Sequence, residues 1–285
     1  VEPGVARQMW RVLEPYHAVT YFTEECRQTF ADVGLRGFWM GYFAGRAAPM
    51  GPVGPGVVTA TFFGFRHSMV ARALPDAWTF ASVTDVLAAR LRGVDLALRR
   101  LLGDGVHDAR VAEAAGLARA AAESAGRAGR PIYAGNADLP WPAEPHLMLW
   151  QAATLLREHR GDGHVIALTA AGVDGCESHV SLVAAGALTR DVLQPNRGWT
   201  DGEWDAATAR LQDRGWIDDD GNVTGAGRDA RHEIERHTDE LALGPWQALG
   251  DDKVERLADL ATPIVQQVVD GGAFPVPNPI GVPQS

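Results

Sequence analysis

Apolar residues recur at helical spacing along most of this chain, and the polar residues between them mark where helices begin and end. Residues 5–32 place Trp10, Leu13, Ala18, Tyr21 and Phe22 on one stripe, with Pro15 positioned to kink or restart the helix. Gly37 to Arg46 repeats glycine every fourth residue, which in a helix makes a groove for close approach. Residues 49–56 are a Pro/Gly turn, and residues 57–65 are β-branched and aromatic enough to leave strand and buried helix both open. Helical periodicity then strengthens from Val83 to Leu102 and from Asp108 to Ala128. After a Pro/Gly-rich break, the pattern predicts helices over Leu147–His159, from about His164 with Asp162 as N-cap, and from Asp174 or Ser178. Thr200-Asp-Gly-Glu203 has the form of a capping box, and Trp216 to Thr224 has the Asp-Gly centre of a hairpin. Long helices follow over Ala226–Leu243 and Asp252–Val269, then an extended, proline-rich tail from Phe274.

The order of these elements suggests an internal duplication. Trp10…Glu14…His17, Gly37…Arg46 and Asp104-Gly105…Arg119 have counterparts in Trp150…Glu158-His159, Gly175…Gly186 and Asp220-Gly221…Arg231. Few positions are identical, so chance agreement in an Ala/Gly-rich chain competes with this reading. Taken as a duplication, the fold is mainly α: two winged-helix-like modules forming an intrachain pseudo-dimer, with small β-hairpin wings and a central cleft. The first module spans 1–130, a Pro/Gly-rich linker 131–145, and the second module with its C-terminal helices and tail 146–285.

Composition bounds the function. The chain has 285 residues, 46% of them hydrophobic, enough for one large or two ordinary domains. No apolar run is long enough to cross a bilayer and the first residues do not resemble a signal peptide, so a cytoplasmic protein without membrane partners is expected. Cys26 and Cys176 lack metal-ligand spacing and are expected as free thiols. Lys253 is the sole lysine, a mark of a GC-rich genome, and the formal charge of −10 argues against a broad nucleic-acid surface.

Residues 200–245, with Leu211-Gln-Asp-Arg-Gly-Trp-Ile, an Asp-Gly hairpin and Val-Thr-Gly-Ala-Gly-Arg228 before a long helix, resemble the winged helix of MarR-type regulators. The whole chain resembles an actinobacterial helix-turn-helix family found in or near antibiotic gene clusters. Glu14-Pro-Tyr-His-Ala, Gly41-Tyr-Phe-Ala-Gly-Arg-Ala-Ala-Pro49, Leu156-Arg-Glu-His-Arg-Gly-Asp-Gly-His164 and Pro277-Asn-Pro-Ile-Gly-Val carry that likeness. The resemblance implies a fold and leaves function to be argued from a site. It would make the helix from Asp201 to Arg214 the recognition helix, yet Asp201, Glu203 and Asp205 occupy its front, where groove readers carry cationic or amide side chains. Asp218, Asp219 and Asp220 make the wing acidic too. The first-half helix with Arg90, Arg92, Arg99 and Arg100 is more basic, although Asp85 and Asp95 can pair with it.

The densest polar cluster is Arg157-Glu158-His159-Arg160-Gly161-Asp162-Gly163-His164. Its guanidiniums suit a carboxylate or phenolate, with His159 or His164 moving a proton and Asp162 fixing a tautomer; a capped, ion-paired interhelical turn is the plain alternative. His17, one turn before Tyr21, falls where His159 falls in the second half, and both could face one cleft with His179 and Trp199 as further lining. Trp39, Tyr42 and Trp150 supply aromatic surface suited to an apolar or polyketide-like ligand, and equally to a core. Dinucleotide, phosphate-loop, zinc-protease and serine-hydrolase motifs are missing, no metal site is expected, and no motif indicates a cofactor; haem could enter only through a histidine. The expected protein binds a small organic ligand on a MarR-like scaffold with weakened DNA binding, linked to secondary metabolism. The alternatives are a secondary-metabolism enzyme using the cleft histidines and a ligand-responsive repressor, with oligomerisation left open.

Overall fold

The computed structural model describes residues 1–275. Among them sixteen α-helices follow one another, with two short 3-10 turns and one isolated antiparallel bridge, Ile217 to Val223. The first nine are α1 (Gly4–Phe22), α2 (Glu24–Asp32), α3 (Gly37–Ala47), α4 (Pro55–Phe62), α5 (His67–Ala71), α6 (Ala77–Phe80), α7 (Val83–Leu102), α8 (Ala109–Glu123) and α9 (Pro131–Ala137). Then come the long α10 (Pro145–Ala170), α11 (Gly175–Ala184), α12 (Arg190–Arg197), α13 (Asp201–Asp213), α14 (Gly225–Leu241), α15 (Gly244–Leu249) and α16 (Asp251–Asp270). None of the described helices is long and apolar enough to cross a membrane.

Helix α10 is the axis of the molecule. Its buried residues run from His146 to Leu168 on nearly every face, as expected of a helix packed all round, against α1, α8, α9 and α14. The alanines of α8 (Ala114, Ala115, Ala118, Ala121 and Ala122) let it lie close to α10. The largest apolar core joins α1, α7, α8 and α10 to α15 and α16, so residues from Ala6 to Ala273 share one interior. A second core fills the space between α3, α4, α5, α6 and α7, with Phe30 of α2 at its edge. A third holds α11, α12 and α13 together through Cys176, Val180, Leu193, Trp204, Ala207, Leu211 and Ile217.

Several local expectations change. Helix α1 runs through Pro15 and stops at Thr23, whose extended backbone ends it. Pro15 forfeits one backbone hydrogen bond, while burial of the stretch from Leu13 to Tyr21 favours continuing the helix. Residues 57–62 are helical: Pro55 opens α4, and Thr59 and Thr61 return their hydroxyls to Pro55 O and Val57 O. Asp104 and Gly105 sit in a 3-10 turn, Gly103–His107, because the periodicities of α7 and α8 come too close to leave flanking strands; the first half has no hairpin wing there. Part of the 131–145 linker is α9, opened by Pro131 at its first turn. Asp162 starts no helix; it lies inside α10. The second-half hairpin reduces to the single Ile217–Val223 bridge, with Asp218 Oδ1 accepting from the N–H groups of Asp220 and Asn222. Of the tail, Phe274 packs edge-on against Phe22, and the rest from residue 276 lies outside the described residues.

Candidate functional site

Three helices bring polar side chains together inside the protein. From α1 come Glu14, His17 and Tyr21, from α3 Tyr42 and Arg46, and from α10 Trp150, Thr154 and the adjacent pair Arg157 and Glu158, the rest spaced at three or four residues. Glu158, 1% exposed, is held by both ends of Arg46: Nε to Oε1 and Nη2 to Oε2, each at 2.9 Å. Arg157 Nη1 donates to Glu158 Oε2 at 2.7 Å, and its Nε lies 3.6 Å from Glu14 Oε1. Trp10 Nε1 donates to the other Glu14 oxygen at 3.0 Å. Burial alone would raise the Glu158 carboxyl, but Arg157 and Arg46 more than offset it and hold it well below the usual carboxylate range. Glu14 moves the opposite way: burial, reinforced by the Glu158 charge, raises it despite Arg157.

Beside this cluster runs a short hydrogen-bonded relay whose direction the geometry fixes. The Thr154 hydroxyl donates its single proton to Trp150 O at 2.9 Å, so its oxygen accepts from His17 Nδ1, also at 2.9 Å. That assigns the Nδ1–H tautomer to His17 and leaves Nε2 to accept from the Tyr21 hydroxyl at 2.9 Å. Burial, then the nearby Arg157 charge, keeps the imidazole neutral by lowering its pKa well below the ordinary value. Burial likewise raises the Tyr21 phenol. Trp150 stacks parallel to the imidazole, ring centroids 6.5 Å apart, and donates Nε1 to His17 O at 3.1 Å.

The relay and the ion cluster form the floor of a cavity of about 250 Å³ between α1, α2, α3, α7 and α10. Phe30, Phe38, Tyr42 and Trp150 give it apolar walls, and Glu24, Arg27 and Gln28 stand at its exposed mouth. Arg90 reaches it from α7, donating to Gly45 O at 3.2 Å and Asn136 Oδ1 at 3.3 Å, with burial lowering its pKa to about 10. The glycine repeat of α3 seats an aromatic ring, since a Cβ on Gly45 would stand 2.5 Å from Phe30 Cζ.

Of the residues picked from sequence, His17, Tyr21, Tyr42, Trp150 and Glu158 line this cavity. Arg157, His164 and His179 line a second one, on the far side of Arg46. The remainder are elsewhere. His159 lies edge-on to Tyr133, ring centroids 5.2 Å apart, beside a void of only about 10 Å³, with burial lowering its pKa to about 4. Arg160 binds Asp239 at 2.8 Å and Glu235 at 3.2 Å. Asp162 Oδ2 accepts from the N–H groups of Ile132 and Tyr133, capping α9 from within α10. Trp39 packs against Phe43 and Phe65, and Trp199 donates Nε1 to Gly64 O at 3.0 Å. Sequence reasoning missed Arg46, Arg90 and Thr154. Arg46 falls four residues after Tyr42 and Thr154 four after Trp150, a signal usable only once both helices are known to be continuous. No group of three or more His, Cys, Asp or Glu among the described residues is placed to hold a metal ion. Both cysteines are buried free thiols, pushed up to about 12 chiefly by burial.

Helices α11, α12 and α13 present a different surface. Capping boxes open α11 at Asp174 with Glu177 and α13 at Thr200 with Glu203. The exposed front of α13 carries Asp201 and Asp205, both held by Arg190, while Arg66 from the first half takes Glu203 at 2.7 Å. The first-half arginines are engaged as well: Arg99 with Asp95, Arg92 with Asp32, Arg100 with Glu25, and Arg90 inside. No curated protein and no solved structure matches the chain. A family model does, over nearly the whole length: residues 6–275 match a helix-turn-helix family, and the chain belongs to it.

Proposed function

We propose that this member of a helix-turn-helix family binds a small aromatic or polyketide-like molecule in the cavity above the His17–Tyr21–Thr154 relay. The observation that carries this reading is the cavity's composition: apolar aromatic walls over a few convergent polar groups, the usual make-up of a small-molecule site. Its mouth opens beside α2 and α3, so a ligand can enter without unfolding the core. A MarR-like winged helix is supported by the order α11, α12, α13, bridge, α14. Acidic groups at the front of α13 and in the Asp218–Asp220 turn favour weakened DNA binding. The likeness to proteins of antibiotic gene clusters suggests a secondary metabolite as ligand.

Ala31, exposed at the cavity mouth, gives a clean test. Titration of the full chain with a panel of small phenols and aromatic acids, followed by calorimetry, should find a saturable ligand. The Ala31→Trp variant should lose that binding while melting at the same temperature; undiminished binding in it would place the ligand elsewhere.

The relay supports a second reading, an enzyme that transfers a proton at Tyr21. The Tyr21 oxygen would take a proton from a substrate as the phenol passes its own to His17 Nε2, whose lone pair stands 2.9 Å away. Tyr21→Phe should then abolish turnover with binding nearly unchanged, whereas retained turnover removes the assignment.

A further inference from the structure

A guanidinium taken out of water is costly unless a carboxylate comes with it. Arg46 and Arg157 share Glu158 and Glu14, and Arg160 binds Asp239 and Glu235. Arg90, 7% exposed on the wall of the aromatic cavity, meets no carboxylate among the described residues; its partners are two neutral oxygens, Gly45 O at 3.2 Å and Asn136 Oδ1 at 3.3 Å. Arg130 also lacks a carboxylate, but it is spent on two main-chain carbonyls at 2.6 and 2.7 Å and packs tightly over Gly163.

The local structure accounts for part of what Arg90 does. Gly45 lies in the last turn of α3, and four residues on stands Pro49, which has no N–H to return to the Gly45 carbonyl. Arg90 supplies that donor, and the negative end of α3 offsets part of its charge. Asn136 Nδ2 donates to Ile132 O at 2.9 Å, which fixes the amide with its oxygen toward Arg90. The Arg90 guanidinium carbon stands 5.4 Å from the centre of the Trp150 ring, on the same cavity wall. A guanidinium carries five N–H donors, so with two used three remain, Nε–H among them, enough for the two-point fork that a carboxylate accepts.

The rest of the wall does not oppose an anion there. Glu24 is paired with Arg27, and both oxygens of Glu158 are taken by Arg46 and Arg157. Both nitrogens of His17 are engaged, Nδ1 with Thr154 and Nε2 with Tyr21, so the ring turns no bare lone pair to the cavity. The Tyr42 hydroxyl accepts from Arg46 Nη1 at 3.5 Å and keeps its own proton to donate. One positive charge is left over, in a partly dehydrated space where it attracts an anion more strongly than at a surface.

We propose that the occupant of the aromatic cavity is an aromatic carboxylate, its carboxylate paired with Arg90 and its ring against Phe30, Phe38 and Trp150. This rests on the reading of that cavity as a ligand site and narrows the ligand to monoanionic acids. A single surplus charge matches a single negative one. The second charge of a phosphate ester would stand uncompensated near Glu158, and a simple phenol, protonated near pH 7, brings no charge at all.

Calorimetric titration of the full chain with two matched pairs, benzoate with benzamide and 2-naphthoate with 2-naphthamide, near pH 7 and at constant ionic strength, tests this, because acid and amide share a shape and differ in charge. At least one acid should saturate a single site about tenfold or more tighter than its amide, as a charge-assisted contact requires. In Arg90→Met that acid should weaken to the level of its amide, and the amide should be unaffected. An amide as tight as its acid, an acid unweakened in Arg90→Met, or no binding of either acid would overturn the proposal. Phenols or amides that still bind, and are blocked by Ala31→Trp, would then leave the cavity standing as a ligand site without this selectivity, whereas an acid that binds equally well in Ala31→Trp would sink both readings. If Arg90→Met does not fold, Arg90→Lys, which keeps the charge and loses the planar fork, should weaken the acid and spare the amide; equal effects on both would overturn the proposal.

Discussion

At the residue scale, the account turns on Glu158. Two arginines reach it inside the protein, and a buried carboxylate is tolerated only because both its oxygens are satisfied. Glu158→Gln leaves Arg46 without its countercharge and Arg157 with Glu14 alone, and unfolding in urea should show a loss of about 3–5 kcal/mol. Replacing Arg46 and Glu158 together by Met should recover much of that loss, because an apolar pair needs no compensation. A second prediction concerns acid. His159, with a folded pKa of about 4, stays neutral while its unfolded counterpart takes up a proton near pH 6.5. At this residue the unfolded state therefore binds more protons between these values, so the contribution of His159 to stability falls as pH drops through that window, while Asp162, raised by burial to about 7, acts with the opposite sign. Near pH 5 the loss from this residue is about 1–2 kcal/mol. His17, lowered by burial as well, adds to the slope in the same direction. Urea midpoints across pH 7 to about 5 check this in the protein and in His159→Gln: the midpoint of the unmutated protein should fall relative to that of the variant as pH drops.

At the element scale, α10 decides how much was legible in the sequence. The cluster from Arg157 to His164 looked like a polar turn between helices because its glycines and charges interrupt the apolar pattern. Tertiary partners satisfy each polar group instead, so the helix continues: Arg46 takes Glu158, Arg130 Nη1 takes the His159 carbonyl at 2.6 Å, Asp239 takes Arg160, and α9 takes Asp162. None of those partners is adjacent in sequence, which is why local periodicity could not find them. Signals that act within a few residues were readable: the Thr200–Glu203 capping box, the Asp174 cap, and the long helices α7, α14 and α16. The ambiguity over residues 57–65 resolved through Pro55 and two threonine back-bonds, both weak sequence cues. Asp162 offers a test of the tertiary cap. Asp162→Ala strips two buried N–H groups of their acceptor and should cost about 2 kcal/mol, whereas Asp162→Asn, which keeps an oxygen, should cost clearly less.

At the scale of the whole molecule, α15 and α16 fold back onto α1, α7 and α8, so the largest core is built from both ends of the chain. The aromatic cavity depends on that closure, because α1 supplies the relay and is clamped between α10 and α16. The two halves of the sequence each brought part of the site: His17, Tyr21 and Tyr42 from the first, Trp150 and Glu158 from the second. The paired positions of His17 and His159 suggest one cleft lined by both, but only one of the two lines this cavity. His17 faces it, while His159 turns away to Tyr133. The central claim is a ligand in this cavity, and native mass spectrometry of the full chain, compared with its denatured mass, tests it most directly. After incubation with the panel of small phenols and aromatic acids, the account predicts a non-covalent adduct that disappears in Ala31→Trp. An adduct equally abundant in Ala31→Trp, or a chain that stays empty throughout, would contradict it.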